Sequence, residues 1–195
     1  MIAYLTGKLT HKSPAMVYVE VQGVGYEVQI SLNTYSRIQG MENCKLLTFL
    51  HIKEDAHTLY GFFDDAERSM FLLLLGVSGI GASTARMMLS SLQPEDIQRA
   101  IAMENEKMLE SIKGIGAKTA KRIILELKDK IKRQKETGPH LSVSTNNTLQ
   151  EDALNALVTL GIARNVAEQA IQRVLKTEPL LHDLEGLIKK SLKSL

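Results

Sequence analysis

The sequence predicts a multi-domain α+β chain with four parts: a small closed β-barrel of the OB type over residues 1–63, an all-α tandem helix-hairpin-helix domain over 64–135, a flexible linker at 136–148, and a three-helix bundle over 149–195. Three observations predict it. Apolar and polar residues alternate through the first sixty positions, the period changes to three-to-four from Asp64 onward, and a Gly-Ile-Gly triplet with matching surroundings occurs at Gly79 and again 35 residues later at Gly114.

The barrel is read from period-two runs, which place successive side chains on opposite faces of a strand. Met1 to Thr10 alternates in this way. Val17, Val19 and Val21 oppose Tyr18, Glu20 and Gln22, and Tyr26, Val28 and Ile30 oppose Glu27, Gln29 and Ser31. Gly23-Val24-Gly25 lies between these two runs and supplies the connection of a hairpin. Apolar strands follow at Lys45 to Ile52 and Thr58 to Phe63. About five short strands cannot leave their edges open cheaply, so closure is expected.

In the helical part, Phe71, Leu74 and Leu75 recur at helical spacing behind the charged opening Asp65, Glu67 and Arg68. Gly79-Ile80-Gly81 and a second helix come next. The arrangement then returns as a short apolar helix ending near Ile112, Gly114-Ile115-Gly116, and a helix from Lys118 through Lys132. Pro94, followed by Glu95 and Asp96, opens a helix between the copies. Glu136 to Thr148 is rich in Ser, Thr and Asn with one Gly and one Pro, the composition of a linker. Beyond it, Leu154, Leu157 and Leu160, then Val166, Ala170 and Val174, then Leu184, Leu187 and Ile188 mark three amphipathic helices.

Composition sets outer limits. With 44% hydrophobic and 24% charged residues over 195 positions, the chain has the balance of a folded globular protein. It shows no signal-peptide pattern and no run of eighteen apolar residues, so a cytoplasmic protein with no membrane segment is expected. The one cysteine, Cys44, excludes an intrachain disulfide and a cysteine zinc site. Net charge is only +2, yet from Glu106 to Lys135 there are ten basic and four acidic residues. Such a surplus serves either as a solvated helix face or as a footprint for a polyanion.

The repeated triplet gives that footprint a place. Its glycines, Gly79 and Gly81 or Gly114 and Gly116, let the backbone bend and approach a ligand closely, while Ile80 or Ile115 anchors the bend. The following helix starts with free N–H groups and the positive end of its dipole, which suits an anion such as phosphate. Ser83 and Thr84 follow the first bend. Lys118, Thr119, Lys121 and Arg122 follow the second, adding hydroxyl, ammonium and guanidinium donors.

Rival readings fail on particular residues. A nucleotide P-loop needs lysine where Ala82 stands, and a dinucleotide fingerprint needs glycine where Thr84 and Thr119 stand, so no nucleotide cofactor is expected. The five histidines are dispersed, so no metal site is expected either. Glu54-Asp55, between the fourth and fifth strands, reads on its own as a polar hairpin tip. No catalytic residues are identified.

Taken together, these residues resemble the RuvA family, the Holliday-junction-binding subunits of the bacterial RuvAB branch-migration complex. The likeness runs through Gly23-Val24-Gly25-Tyr26-Glu27-Val28, Glu54-Asp55-Ala56 followed by Leu59-Tyr60-Gly61-Phe62, both Gly-Ile-Gly hairpins, Lys118-Thr119-Ala120-Lys121-Arg122 and the tethered C-terminal bundle. It implies a homotetramer, one or two per junction, that holds a four-way junction open and planar, with Glu54 and Asp55 as an acidic pin at its centre. It also implies a C-terminal domain that binds the hexameric ATPase RuvB, where ATP is hydrolysed, and an association with the RuvC resolvase. Leu157, Leu160, Leu184 and Leu187 are candidates for the motor-binding surface, although taken singly each reads first as core. The chain departs from the family where Ser83 and Ala117 occupy positions that are commonly basic. The second hairpin is therefore expected to dominate binding, with a weaker salt dependence than a typical member's.

Two other functions compete with junction binding. The same hairpins would serve a structure-specific nuclease or its accessory subunit, and the barrel would serve as a single-strand-binding module. The second needs aromatic platforms that five Tyr, four Phe and no Trp supply poorly.

Overall fold

A computed structural model describes residues 1–137, 145–178 and 183–194. The chain divides into two compact units, Met1–Lys135 and Glu136–Leu195.

In the first unit, five strands close into a barrel: β1 (Tyr4–Ser13), β2 (Met16–Val21), β3 (Val24–Ile30), β4 (Asn43–Ile52) and β5 (His57–Phe62), in the order β1-β2-β3-β5-β4. Neighbours are antiparallel except β3 and β5, which run parallel through Gln29↔Tyr60 and Ile30↔Gly61. The alternation has the expected outcome: Val17, Val19, Val28, Ile30 and Leu46 fill the barrel, while Tyr18, Glu20 and Glu27 face out. Cys44 is buried with them. The β2–β3 turn falls one residue earlier than expected. Gln22 and Gly23 both have positive φ, at 50° and 84°, and Val24 already pairs with Val21. A two-residue turn of that hand matches the twist of the strands it joins, so Gly25 belongs to β3.

One element was not anticipated. Between β3 and β4 lies α1 (Leu32–Ile38), capped by Ser31, whose hydroxyl accepts from the Thr34 amide. It buries Thr34 and Ile38.

The helical region comprises α2 (Asp65–Leu75), α3 (Ala82–Ser91), α4 (Pro94–Ala102), α5 (Glu106–Glu110) and α6 (Ala117–Thr137). Asp64 caps α2 by accepting from the Glu67 amide, and Pro94 stands at the start of α4 as expected. One apolar cluster runs through all of these helices and includes Tyr60 and Phe62 of the barrel. Phe71 is its hinge, with ring centroids 4.9 Å from Phe62, 5.1 Å from Tyr60 and 5.7 Å from Phe49.

Polar bonds fix the barrel to the helices. Glu67, only 3% exposed, accepts from the hydroxyls of Ser31 and Thr34, the latter at 2.6 Å. Each hydroxyl in turn accepts a backbone amide: Ser31 from Thr34 at 3.0 Å, and Thr34 from Phe63 at 3.1 Å. The start of α1, the end of β5 and the first turn of α2 thus meet at one carboxylate. Asn33 donates to the carbonyls of Leu89 and Leu92 at the end of α3. Arg86 donates to the carbonyl of Ala15 at 3.0 Å and to Gln29 Oε1 at 2.5 Å.

The second unit holds α7 (Thr145–Thr159), α8 (Arg164–Thr177) and α9 (Leu184–Lys193) around Ala153, Leu157, Ala167, Ile171 and Leu187. The linker expected at 136–148 is helical at both described ends, since α6 runs to Thr137 and α7 begins at Thr145. Its middle, residues 138–144, lies outside the described residues. The Lys-, Arg- and Gln-rich end of α6 consists of strong helix formers, which carry the helix beyond the Lys132 end expected for it.

Candidate nucleic-acid interface

The two Gly-Ile-Gly bends have the same construction. In each, the residue three before the isoleucine closes the preceding helix: the Val77 amide donates to Leu74 at 3.0 Å, and the Ile112 amide to Leu109 at 3.2 Å. The isoleucine amide then bonds back, Ile80 to Val77 and Ile115 to Ile112, both at 3.0 Å. Val77, Ile80, Ile112 and Ile115 are all buried and hold the bends to the shared core. Between them Gly79 and Gly114 take φ of 86° and 90°, where a Cβ is strained. Four apolar anchors and two positive-φ glycines thus push two loops of main chain outward, and Gly79, Gly81, Gly114 and Gly116 are all exposed.

What the bends present is positive. The first amides to bond within their helices are those of Ala85, to Gly81, and of Thr119 and Ala120, to Gly116. The amides ahead of them point out of the helix end. Gly81 caps α3 without any side-chain bond. Acids occupy the first turns of α2, α4 and α5, but neither α3 nor α6 has one. In this region the dipole is left uncompensated at the two helix starts that follow a bend.

Side chains reinforce the second start more than the first. Ser83 and Lys118, equivalent positions in the two copies, are exposed, and Thr84 and Thr119 are half-buried. Lys121 is exposed, 3.8 Å from Glu106 across the surface. Arg122 is half-buried, and its Nη1 donates to the carbonyl of Ser78 in the first bend at 3.0 Å. Lys113, not singled out from the sequence, is exposed in the turn immediately before Gly114, where the first copy has Ser78. Aligning the two copies was the signal that would have found it.

Glu54 and Asp55 occupy the tip of the β4–β5 hairpin, closed by the Lys53 amide donating to the Ala56 carbonyl at 2.8 Å. Both are exposed. In the second unit the four leucines separate: Leu157 and Leu187 are wholly buried and hold the bundle together, Leu184 is half-buried against the same core, and Leu160 is 63% exposed. Among the described residues no His, Cys, Asp or Glu side chains gather into a group that could hold a metal ion, and no helix is long and apolar enough to cross a membrane.

Residues 1–61 match the family model described as the RuvA N terminal domain, residues 71–129 match that of a SAM-like helix-hairpin-helix tandem, and residues 148–195 match that of the RuvA C-terminal domain. The chain is 50% identical to a protein of Cytophaga hutchinsonii, with 99% of each covered. It is 48% identical to one of Christiangramia forsetii and 47% to one of Bacteroides thetaiotaomicron, with the whole of each chain covered. All three relatives are named Holliday junction branch migration complex subunit RuvA.

Proposed function

Because the chain belongs to the RuvA family, we propose that it grips the arms of a Holliday junction by its sugar-phosphate backbone at the two Gly-Ile-Gly bends, as a non-catalytic subunit of a branch migration complex. The observation that carries this reading is the pair of outward bends, each followed by a helix start with no acid to oppose an anion. Main-chain amides recognise phosphate oxygens without regard to base, so the shape of the DNA is read in place of its sequence. Lys118, Lys121, Thr119, Ser83 and Thr84 supplement the amides. The relatives' names refer to branch migration, and the alternative of a nuclease or nuclease subunit is not favoured.

A gel-shift comparison tests the reading. A four-way junction is expected to bind more tightly than linear duplex of matched length, and equal affinity would overturn the proposal. Magnesium-dependent cutting by the purified protein would reinstate the nuclease alternative.

A fourfold assembly with one protomer per arm suits a cross-shaped ligand, and one or two such tetramers would enclose it. The exposed carboxylates Glu54 and Asp55 would then stand at the centre and repel converging phosphates. Replacing both with their amides is expected to leave junction affinity unchanged or raised while altering migration by the full complex. A large loss of binding would count against repulsion. The motor, a RuvB-type hexameric ATPase, would dock on the C-terminal bundle through exposed residues such as Leu160, with a RuvC-type resolvase acting on the same junction in the cytoplasm.

Lys118→Ala is expected to weaken junction binding by about 1 kcal/mol and to lower the salt slope by about one, the contribution of one phosphate contact. A titration over several salt concentrations reads both effects. An unchanged slope would remove Lys118 from the phosphate-binding groups.

A further inference from the structure

The two bends are joined by a side chain. Arg122 projects from the second turn of α6, in the second copy of the repeat, and donates through Nη1 to the carbonyl of Ser78 in the bend of the first copy. The same nitrogen lies 3.4 Å from where a Cβ on Gly79 would stand. Apart from Gly114 itself and its two chain neighbours, nothing lies within 4 Å of the corresponding point there. The clasp runs one way, because the equivalent residue of α3, 35 positions earlier, is Met87, which has no donor.

We propose that Arg122 is a positioning residue, which locks the first bend against α6 so that both sets of amides meet their phosphates as one rigid unit, and that its guanidinium does not itself pair with phosphate. This rests on the reading of the bends as phosphate sites. The first bend is the one that needs help, since it carries Ser83 where the second carries Lys118. It must bind through neutral amides, whose strength depends on being held in place beforehand. A fixed spacing also makes the second attachment intramolecular once the first has formed. The guanidinium, in addition, draws on a carbonyl whose negative end lies at the bend where a phosphate arrives. Its planar fork suits a fixed bond of this kind better than a lysine ammonium does.

Arg122→Met places in α6 the residue that α3 already has at this position. In the free full-length protein, amide hydrogen exchange over residues 77–81 is expected to quicken while exchange over 112–116 stays as it was. Junction affinity is expected to fall roughly tenfold. The salt slope is expected to stay unchanged, because the first bend holds phosphate through neutral amides, which displace no counterion. Unaltered exchange at 77–81, or a slope lowered by about one, would overturn the proposal, the latter by making Arg122 an ordinary phosphate ligand. Arg122→Lys, which keeps the charge and loses the fork, serves if the methionine variant does not fold. It too is expected to quicken exchange at 77–81, and wild-type exchange in it would overturn the proposal. Failure of the underlying reading would look different: the wild-type protein would show no preference for junctions, whatever exchange reports about the clasp.

Discussion

Replacing Gly79 and Gly114 together with alanine is expected to remove most of the junction affinity while leaving the barrel folded. Both residues take φ near 90°, where a Cβ costs about 1–2 kcal/mol per position. The bend either stores that strain or relaxes to another conformation, and relaxation turns the outward amides away from the ligand. Two bends failing together would weaken binding by on the order of a hundredfold, equivalent to about 3 kcal/mol. The single variants should differ. At Gly79 the new methyl also comes into contact with the Arg122 guanidinium, 3.4 Å away, while at Gly114 it meets no such neighbour within 4 Å, so strain alone acts there. Junction titrations beside far-ultraviolet circular dichroism separate impaired binding from impaired folding. A double variant that folds and binds like the wild type would show that the amides of the bends are not the groups that hold DNA.

The second large effect is expected at Glu67. Its carboxylate accepts two hydroxyl protons, and each hydroxyl oxygen already accepts a backbone amide, so the direction of every bond in this network is fixed. Glu67→Ala leaves both hydroxyls facing a void and is expected to cost roughly 2–4 kcal/mol of stability. Glu67→Gln keeps the volume but turns one acceptor into a donor, and it should cost less. Burial pushes the Glu67 carboxyl above the ordinary carboxylate range, and the hydroxyl bonds only partly offset this. Between the ordinary value and the raised one, the folded protein therefore holds a proton that the unfolded chain has released. Stability should fall as pH rises through that interval and level off above it. Glu67→Gln should remove this part of the pH dependence, as denaturant titrations at several pH values would reveal. A slope that persisted in the glutamine variant would belong to another group.

Glu67 also shows where reading from sequence stops. An acid in the first turn of a helix reads as a partner for the dipole, and only the fold reveals that its hydrogen-bond donors lie 36 and 33 residues away, at Ser31 and Thr34. Arg122 is a similar case: next to Lys121 it reads as one more phosphate donor, and its bond to Ser78 spans 44 residues. The strands and the paired bends are legible because their signals are local. Alternation at Val17 and Val19 and the repeat of Gly-Ile-Gly need no knowledge of distant neighbours. Helix α1 escapes such a reading because its seven residues are too short to establish a period, although Ser31 is a visible capping signal. Helix at residues 136–137 and 145–148 is not legible in a reading by composition, because polar content there hides helices that enter from either side.

Closure of the barrel has its own consequence. Every one of its five strands has a neighbour on both sides, so if several copies gather around one DNA crossing, as proposed above, lengthening each other's sheets would not be the favoured way to join. Such an association would fall to side-chain faces, and a face fixed in direction can terminate growth in a ring, whereas an open sheet edge would invite endless stacking.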